Sequence, residues 1–159
     1  MSFWNKLFGT KGPLAAINVS EVESLVMRAA ASEGWTPLMA AAHAGNTHKV
    51  ETLIAAGEDV NAKNGLGDTA LHAAAYSGGL GCVKALITGG AKVDARNKDG
   101  ETAIKKAAYM GNVDSVKALI AAGADVNIAD IQGETPLQMA TFNAKADVVA
   151  ILRAAGAKK

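Results

Sequence analysis

Three histidines, one cysteine and fifteen carboxylates are the side chains that could carry chemistry in this chain. A metal centre needs His, Cys or carboxylate donors brought together at ligand spacing. His43 and His48 straddle a predicted turn with no such partner beside them, so no metal is expected. A reactive cysteine needs a neighbour that lowers its pKa, and nothing near Cys82 in the sequence supplies one. The glycines are spread along the chain instead of clustering into a phosphate-cradling loop. Neither a nucleophile elbow nor a pair of carboxylates converging from distant segments is present. An enzyme is not the expectation, and neither is a cofactor. His72 differs from the other histidines because it lies inside a motif that recurs, which gives it a structural role.

That motif is a helix start written four times: Gly34-Trp35-Thr36-Pro37-Leu38, Gly67-Asp68-Thr69-Ala70-Leu71, Gly100-Glu101-Thr102-Ala103-Ile104 and Gly133-Glu134-Thr135-Pro136-Leu137. The threonines stand 33 residues apart with no insertion, and a fixed period of this size marks a repeat architecture. Each Thr can cap the helix behind it, and Pro37 and Pro136 fill a first helical position where no backbone donor is needed. A first helix of about ten residues should end at Gly45, Gly78 and Gly111, again 33 apart, through a left-handed residue. The fourth copy has Ala144 there, and Asn143 is expected to take the left-handed role. A second helix follows, with apolar columns Val50, Val83, Val116, Val149 and Leu53, Leu86, Leu119, Leu152, and ends at Gly57, Gly90, Gly123 and Gly156. Gly79 and Gly81 predict fraying where the second of these helices begins. Cys82 shares a column with Lys49, Ser115 and Val148, which predicts a mixed position near the helix surface. Short extended segments then lead to turns at Asn64-Gly65, Asn97-Lys98 and Asp130-Ile131.

At 159 residues the chain is long enough for one domain with a core. Aromatics make up only 4% of it, so small aliphatic residues must fill the interior, which requires helices that approach closely. Sixteen basic against fifteen acidic side chains leave a net charge of +1 with neither sign concentrated, which disfavours nucleic acid as a partner. A lone cysteine excludes an intrachain disulfide and suits a reducing compartment. No apolar run is long enough to span a bilayer and no secretory signal opens the chain; a cytoplasmic location and a monomer are the expectations. Residues 1–13 stand outside the repeat. Phe3, Trp4, Leu7 and Phe8 would form one apolar side of a short helix, read as a flap over the end of the stack. The alternative is a membrane-peripheral anchor, poorly supported by only Lys6 and Lys11. Residues 14–33 read as an N-terminal cap. Asn18 to Val26 aligns with Asn46 to Ile54 at an offset of 28, giving either a truncated first repeat or one longer helix from Val19 to Ser32.

Helix, turn, helix and a β-turn finger at a period of 33, with Thr-Pro-Leu opening the first helix, resembles the ankyrin repeat. The resemblance covers Gly34 to Gly156. It implies an all-α solenoid of stacked antiparallel helix pairs with short fingers, in four repeats (34–66, 67–99, 100–132 and 133–159). Only His72 keeps the family's motif histidine; Met39, Lys105 and Gln138 replace it. Gln138 can complete a reciprocal capping box with Thr135. The third repeat departs furthest from the pattern and is expected to be locally weaker. The resemblance further implies a non-catalytic module that binds another protein through a concave face made by first helices and fingers. Carried over position by position, the fingers supply Leu66, Asp68, Lys98, Asp99, Glu101, Ile131, Gln132 and Glu134. The helices supply His43, Tyr76, Ser77, Tyr109, Met110, Phe142 and Asn143, and Trp35 stands just before a motif Thr. A stripe of His43, Tyr76, Tyr109 and Phe142 has the makeup of a protein-binding hot spot; the alternative is that these rings only pad one another.

Overall fold

The computed structural model describes residues 34–158. The flap with Phe3, Trp4, Leu7 and Phe8, the membrane alternative attached to it and the capping segment 14–33 lie outside the described residues. Eight helices and no strand occur among those described, in chain order α1 (Pro37–His43), α2 (Thr47–Ala55), α3 (Ala70–Ser77), α4 (Leu80–Thr88), α5 (Ala103–Met110), α6 (Val113–Ala121), α7 (Pro136–Phe142) and α8 (Ala146–Ala154). Each odd-numbered helix packs on its even partner and on the next odd one, and the even helices pack on one another in the same order. Two rows of helices result, with the fingers projecting between successive pairs.

The motif threonines start the first helices in extended conformation. Thr36 Oγ1 accepts from Met39 N at 3.2 Å and Thr135 Oγ1 from Gln138 N at 3.3 Å. Gln138 returns the bond, its Oε1 accepting from Thr135 N at 2.8 Å, so the expected capping box is present. Alanine decides the spacing of the inner row: Ala42, Ala74, Ala75, Ala107, Ala108 and Ala140 are fully buried, and their lack of bulk lets neighbouring backbones close in. Leu38, Leu71 and Ile104 fill the space between the two rows against Val50, Val83, Val116, Leu86, Leu119 and Leu152. Each such side chain removed from water contributes about 1.5–3 kcal/mol.

Three local expectations are corrected. The helix after Gly79 does not fray: α4 spans nine residues, as α2, α6 and α8 do. A Cβ on Gly81 would collide with the Thr47 hydroxyl of α2, so glycine is the residue that lets α4 approach, and tertiary packing overrides its low propensity. Cys82, one residue on, is fully buried and not near the surface, with Sγ 3.7 Å from Thr47 Oγ1. Ser115 and Val148 of the same column are buried too, whereas Lys49 is exposed. Finally, the left-handed residue after α7 is Ala144 (φ 54°), the only non-glycine with positive φ among the described residues, while Asn143 stays right-handed at φ −89°. The Asn143 amide is engaged elsewhere, donating to Met139 O at 2.9 Å. The turn keeps its register of 33 and places the strain on alanine.

Candidate binding face

One polar contact, repeated three times, builds the fingers. Asn64 Oδ1 accepts from the backbone N–H of Leu66 and Asp68, both at 2.9 Å. Asn97 Oδ1 does the same for Asp99 and Glu101 at 3.0 and 2.9 Å, and Asp130 Oδ1 for Gln132 and Glu134 at 2.9 Å. Adjacent fingers are tied by backbone bonds, Lys98 N to Leu66 O and Ile131 N to Asp99 O, each 3.0 Å. Gly67 is required at one of these joints. Its φ is +78°, and a Cβ there would stand 2.9 Å from Lys98 N.

Behind the fingers the first helices supply the partner groups. His72 is buried, its Nδ1 accepting from Thr69 N at 3.1 Å and its Nε2–H donating to Glu101 O at 3.0 Å. Burial holds its pKa below the ordinary histidine value against the opposing pull of the Glu101 carbonyl, so the ring is neutral. In the next repeat Lys105 takes this place and is buried as well. It donates to Asp130, whose side chain is also enclosed, and lies 3.8 Å from both Glu101 Oε1 and Glu134 Oε2. Burial alone would raise the Asp130 carboxyl; the Lys105 ammonium and the Glu134 N–H outweigh it and hold the pKa below the usual range. Lys106 Nζ lies 2.8 Å from Glu101 Oε2 and 3.7 Å from Asp68 Oδ1. Asn97 Nδ2 bridges Asp68 Oδ1 at 2.9 Å and Glu101 Oε2 at 3.1 Å. Burial works against charge on Glu101 and Lys106 alike, yet their mutual hydrogen bond wins, lowering the first pKa and raising the second.

The ring-bearing column stands in front of this network. Tyr76 is 42% exposed, Tyr109 48% and Phe142 87%, so none of the three serves as interior filler. At one end the rings do touch. His43 meets Trp35 edge-on at 5.6 Å and stacks with Tyr76 at 6.3 Å. These three line a hollow of about 200 Å³ whose polar wall includes Asp68, Thr69 and Lys106.

The sixteen residues named from the sequence thus divide. His43, Tyr76, Tyr109, Met110 and Phe142 on the helices, with Leu66, Lys98, Asp99, Ile131 and Gln132 on the fingers, are exposed. Asp68 and Glu101 are half-buried in the ion network, and Glu134 stands at its edge. Trp35 is half-buried against the core. The Ser77 hydroxyl is used internally, donating to Ala74 O and to Ala42 O of α1 at 3.2 and 3.3 Å, as is the Asn143 amide. Sequence reasoning missed Lys105, Lys106, Asn97 and Asp130 as organisers of this face. A signal existed: the finger column reads Asn64, Asn97, Asp130, and its only acid stands in the only repeat with lysine at the histidine position.

Among the described residues no group of His, Cys, Asp or Glu is placed to hold a metal ion, and no helix is long and apolar enough to cross a membrane. No curated protein matches the chain at a significant level. The family model described as ankyrin repeats (3 copies) matches twice, over residues 14–97 and 78–159. Repeats of this kind are generally protein–protein interaction modules and are not typically enzymes. With two matches that together span all but the first thirteen residues, on a chain whose helix pairs and fingers recur every 33 residues, the protein belongs to the ankyrin repeat family.

Proposed function

We propose that this chain is a non-catalytic module that binds a partner protein through the face formed by its first helices and fingers. The observation that carries this reading is the outward placement of Tyr76, Tyr109 and Phe142 on helices whose other faces are buried in the stack. Large rings on a fixed scaffold bury much area while ordering few residues, the property that makes Tyr a common hot-spot residue. Leu66 and Ile131 extend the apolar surface to the fingertips, and Lys98, Asp99 and Gln132 form a polar rim. That rim would set register and association rate more than affinity.

The test is capture of a partner from the native cell, followed by titration of the purified partner against Tyr76→Ala/Tyr109→Ala. Both rings are half in solvent, so folding should persist while binding weakens by at least about 2 kcal/mol. Undiminished binding by a folded double variant refutes the face.

A further inference from the structure

The hollow beside Trp35 brings aromatic walls and a carboxylate together. Trp35, His43 and Tyr76 supply three rings held by their mutual contacts. Asp68 reaches the same space with its Oδ1 fixed by Asn97. A cation over an aromatic face is attracted by the ring quadrupole, and more strongly where water is partly excluded. Among the described residues Lys106 is the cation that borders the hollow, but its ammonium is held 2.8 Å from Glu101 and 3.7 Å from Asp68. Asp68, Glu101, Asp130 and Glu134 are four carboxylates facing two ammonium groups, Lys105 and Lys106, so the network behind the rings keeps a negative balance.

We propose that this hollow takes a cationic side chain, arginine or lysine, projecting from the partner protein, with the rings enclosing its stem and Asp68 facing its charge. The inference rests on the binding face proposed above and gives the partner a chemistry: a basic residue beside apolar ones that reach Tyr109, Phe142 and the fingertips. An acidic or purely apolar residue at this point would forfeit the attraction of Asp68.

The experiment uses the full chain with Trp4→Phe, so that Trp35 is the only tryptophan and reports directly on the hollow. Blocked tripeptides Ala-X-Ala, with X arginine, lysine, glutamine or glutamate, are titrated at low salt, following Trp35 fluorescence and backbone amide shifts. Concentrations reach about 20 mM, above the roughly millimolar dissociation constant expected for one residue held by ring and carboxylate. The arginine and lysine peptides should shift Trp35 and the amides around His43, Asp68 and Tyr76 saturably, and the glutamine and glutamate peptides should not. Asp68→Asn keeps the Oδ1 acceptor for Asn97 and removes the charge; it should weaken the arginine peptide about tenfold. Tyr76→Leu, which keeps apolar bulk, should weaken it several-fold. Equal response to glutamine, preference for glutamate, or no response to either basic peptide overturns the inference. A captured partner that binds through Tyr109 and is indifferent to Asp68→Asn also overturns it, while the binding face itself would stand.

Discussion

Replacing Lys105 by Met is the sharpest test of how the third repeat is held. The ammonium is buried with Asp130, and its removal leaves a carboxylate that retains only the N–H groups of Gln132 and Glu134. Breaking one side of a buried pair costs about 3–5 kcal/mol. The carboxyl can escape by taking a proton. At pH 7 that costs about 4 kcal/mol for an acid with an unfolded pKa near 3.9, which sets a ceiling on the loss. At pH 5 the same ceiling falls to about 1.5 kcal/mol. Asp130→Asn should be milder, about 1–2 kcal/mol, because Oδ1 can still close the turn and Lys105 keeps Glu101 and Glu134 at 3.8 Å. The double variant replaces the pair by neutral groups and should cost no more than about 1.5 kcal/mol, giving a coupling above about 2 kcal/mol. Urea denaturation followed by circular dichroism at pH 7 and pH 5 measures the cycle, and amide exchange in α5 and its finger localises the loss. Single-variant costs that add within about 0.5 kcal/mol, or a Lys105→Met loss that grows on acidification, would refute the coupling.

Two further predictions concern the turn after α7 and the buried histidine. Ala144→Gly should raise stability by about 0.5–1 kcal/mol, since a left-handed alanine costs about 1–2 kcal/mol and glycine gives part of that back in chain entropy; a lowered urea midpoint would contradict the strained turn. Because the His72 pKa is lowered by folding, the unfolded chain binds the proton first. Its contribution to stability is therefore complete above about pH 6.5 and falls as pH drops below that, by at most about 1.4 kcal/mol per unit, until the folded-state pKa is passed. Glu101 and Asp130, also lowered, add a separate loss below about pH 4. His72→Gln, which copies the capping box of Gln138 with Thr135, should remove the upper phase and leave the lower one; persistence of both phases would show that another group titrates.

The architecture was legible because its determinants are local and repeat in phase: a capping Thr, a left-handed Gly, an apolar column and a turn, each returning after 33 residues. What was missed lies in contacts between columns, within one repeat or across to the next, which a column-by-column reading treats as independent. Gly81 looks like a helix breaker until Thr47 of the preceding repeat is placed against it. Cys82 looks like a surface residue when compared with Lys49, yet it is enclosed, as Ser115 and Val148 are. Lys105 reads as a departure from pattern until Asp130 is set beside it, and the two then form one compensated exchange. The exposure of Tyr76, Tyr109 and Phe142 was legible in their column, whereas Asp68, Glu101, Ser77 and Asn143, expected on the same surface, spend much of their polar capacity inside the stack.

The last helix pair differs from the others at the columns that face a following pair. Ala42, Ala75 and Ala108 are buried between first helices, and the last member of their column is the exposed Thr141. Ile54, Ile87 and Ile120 pack partly against the core, and their fourth counterpart is the exposed Arg153. The Arg153 guanidinium there reduces the gain from adding another helix pair, because it would have to be desolvated without an assured partner. Phe142 lies on the same last pair and is the most exposed large apolar side chain among those described, yet it belongs to the column of Tyr76 and Tyr109. If its exposure reflected only a raw stack end, the neighbouring Thr141 and Arg153 positions should be apolar as well. They are polar, so among the described residues the exposed large apolar side chains run along the first helices and fingertips, through Leu66, Tyr76, Tyr109, Met110, Ile131 and Phe142, which is the distribution a lateral face requires and an end-on stacking surface does not.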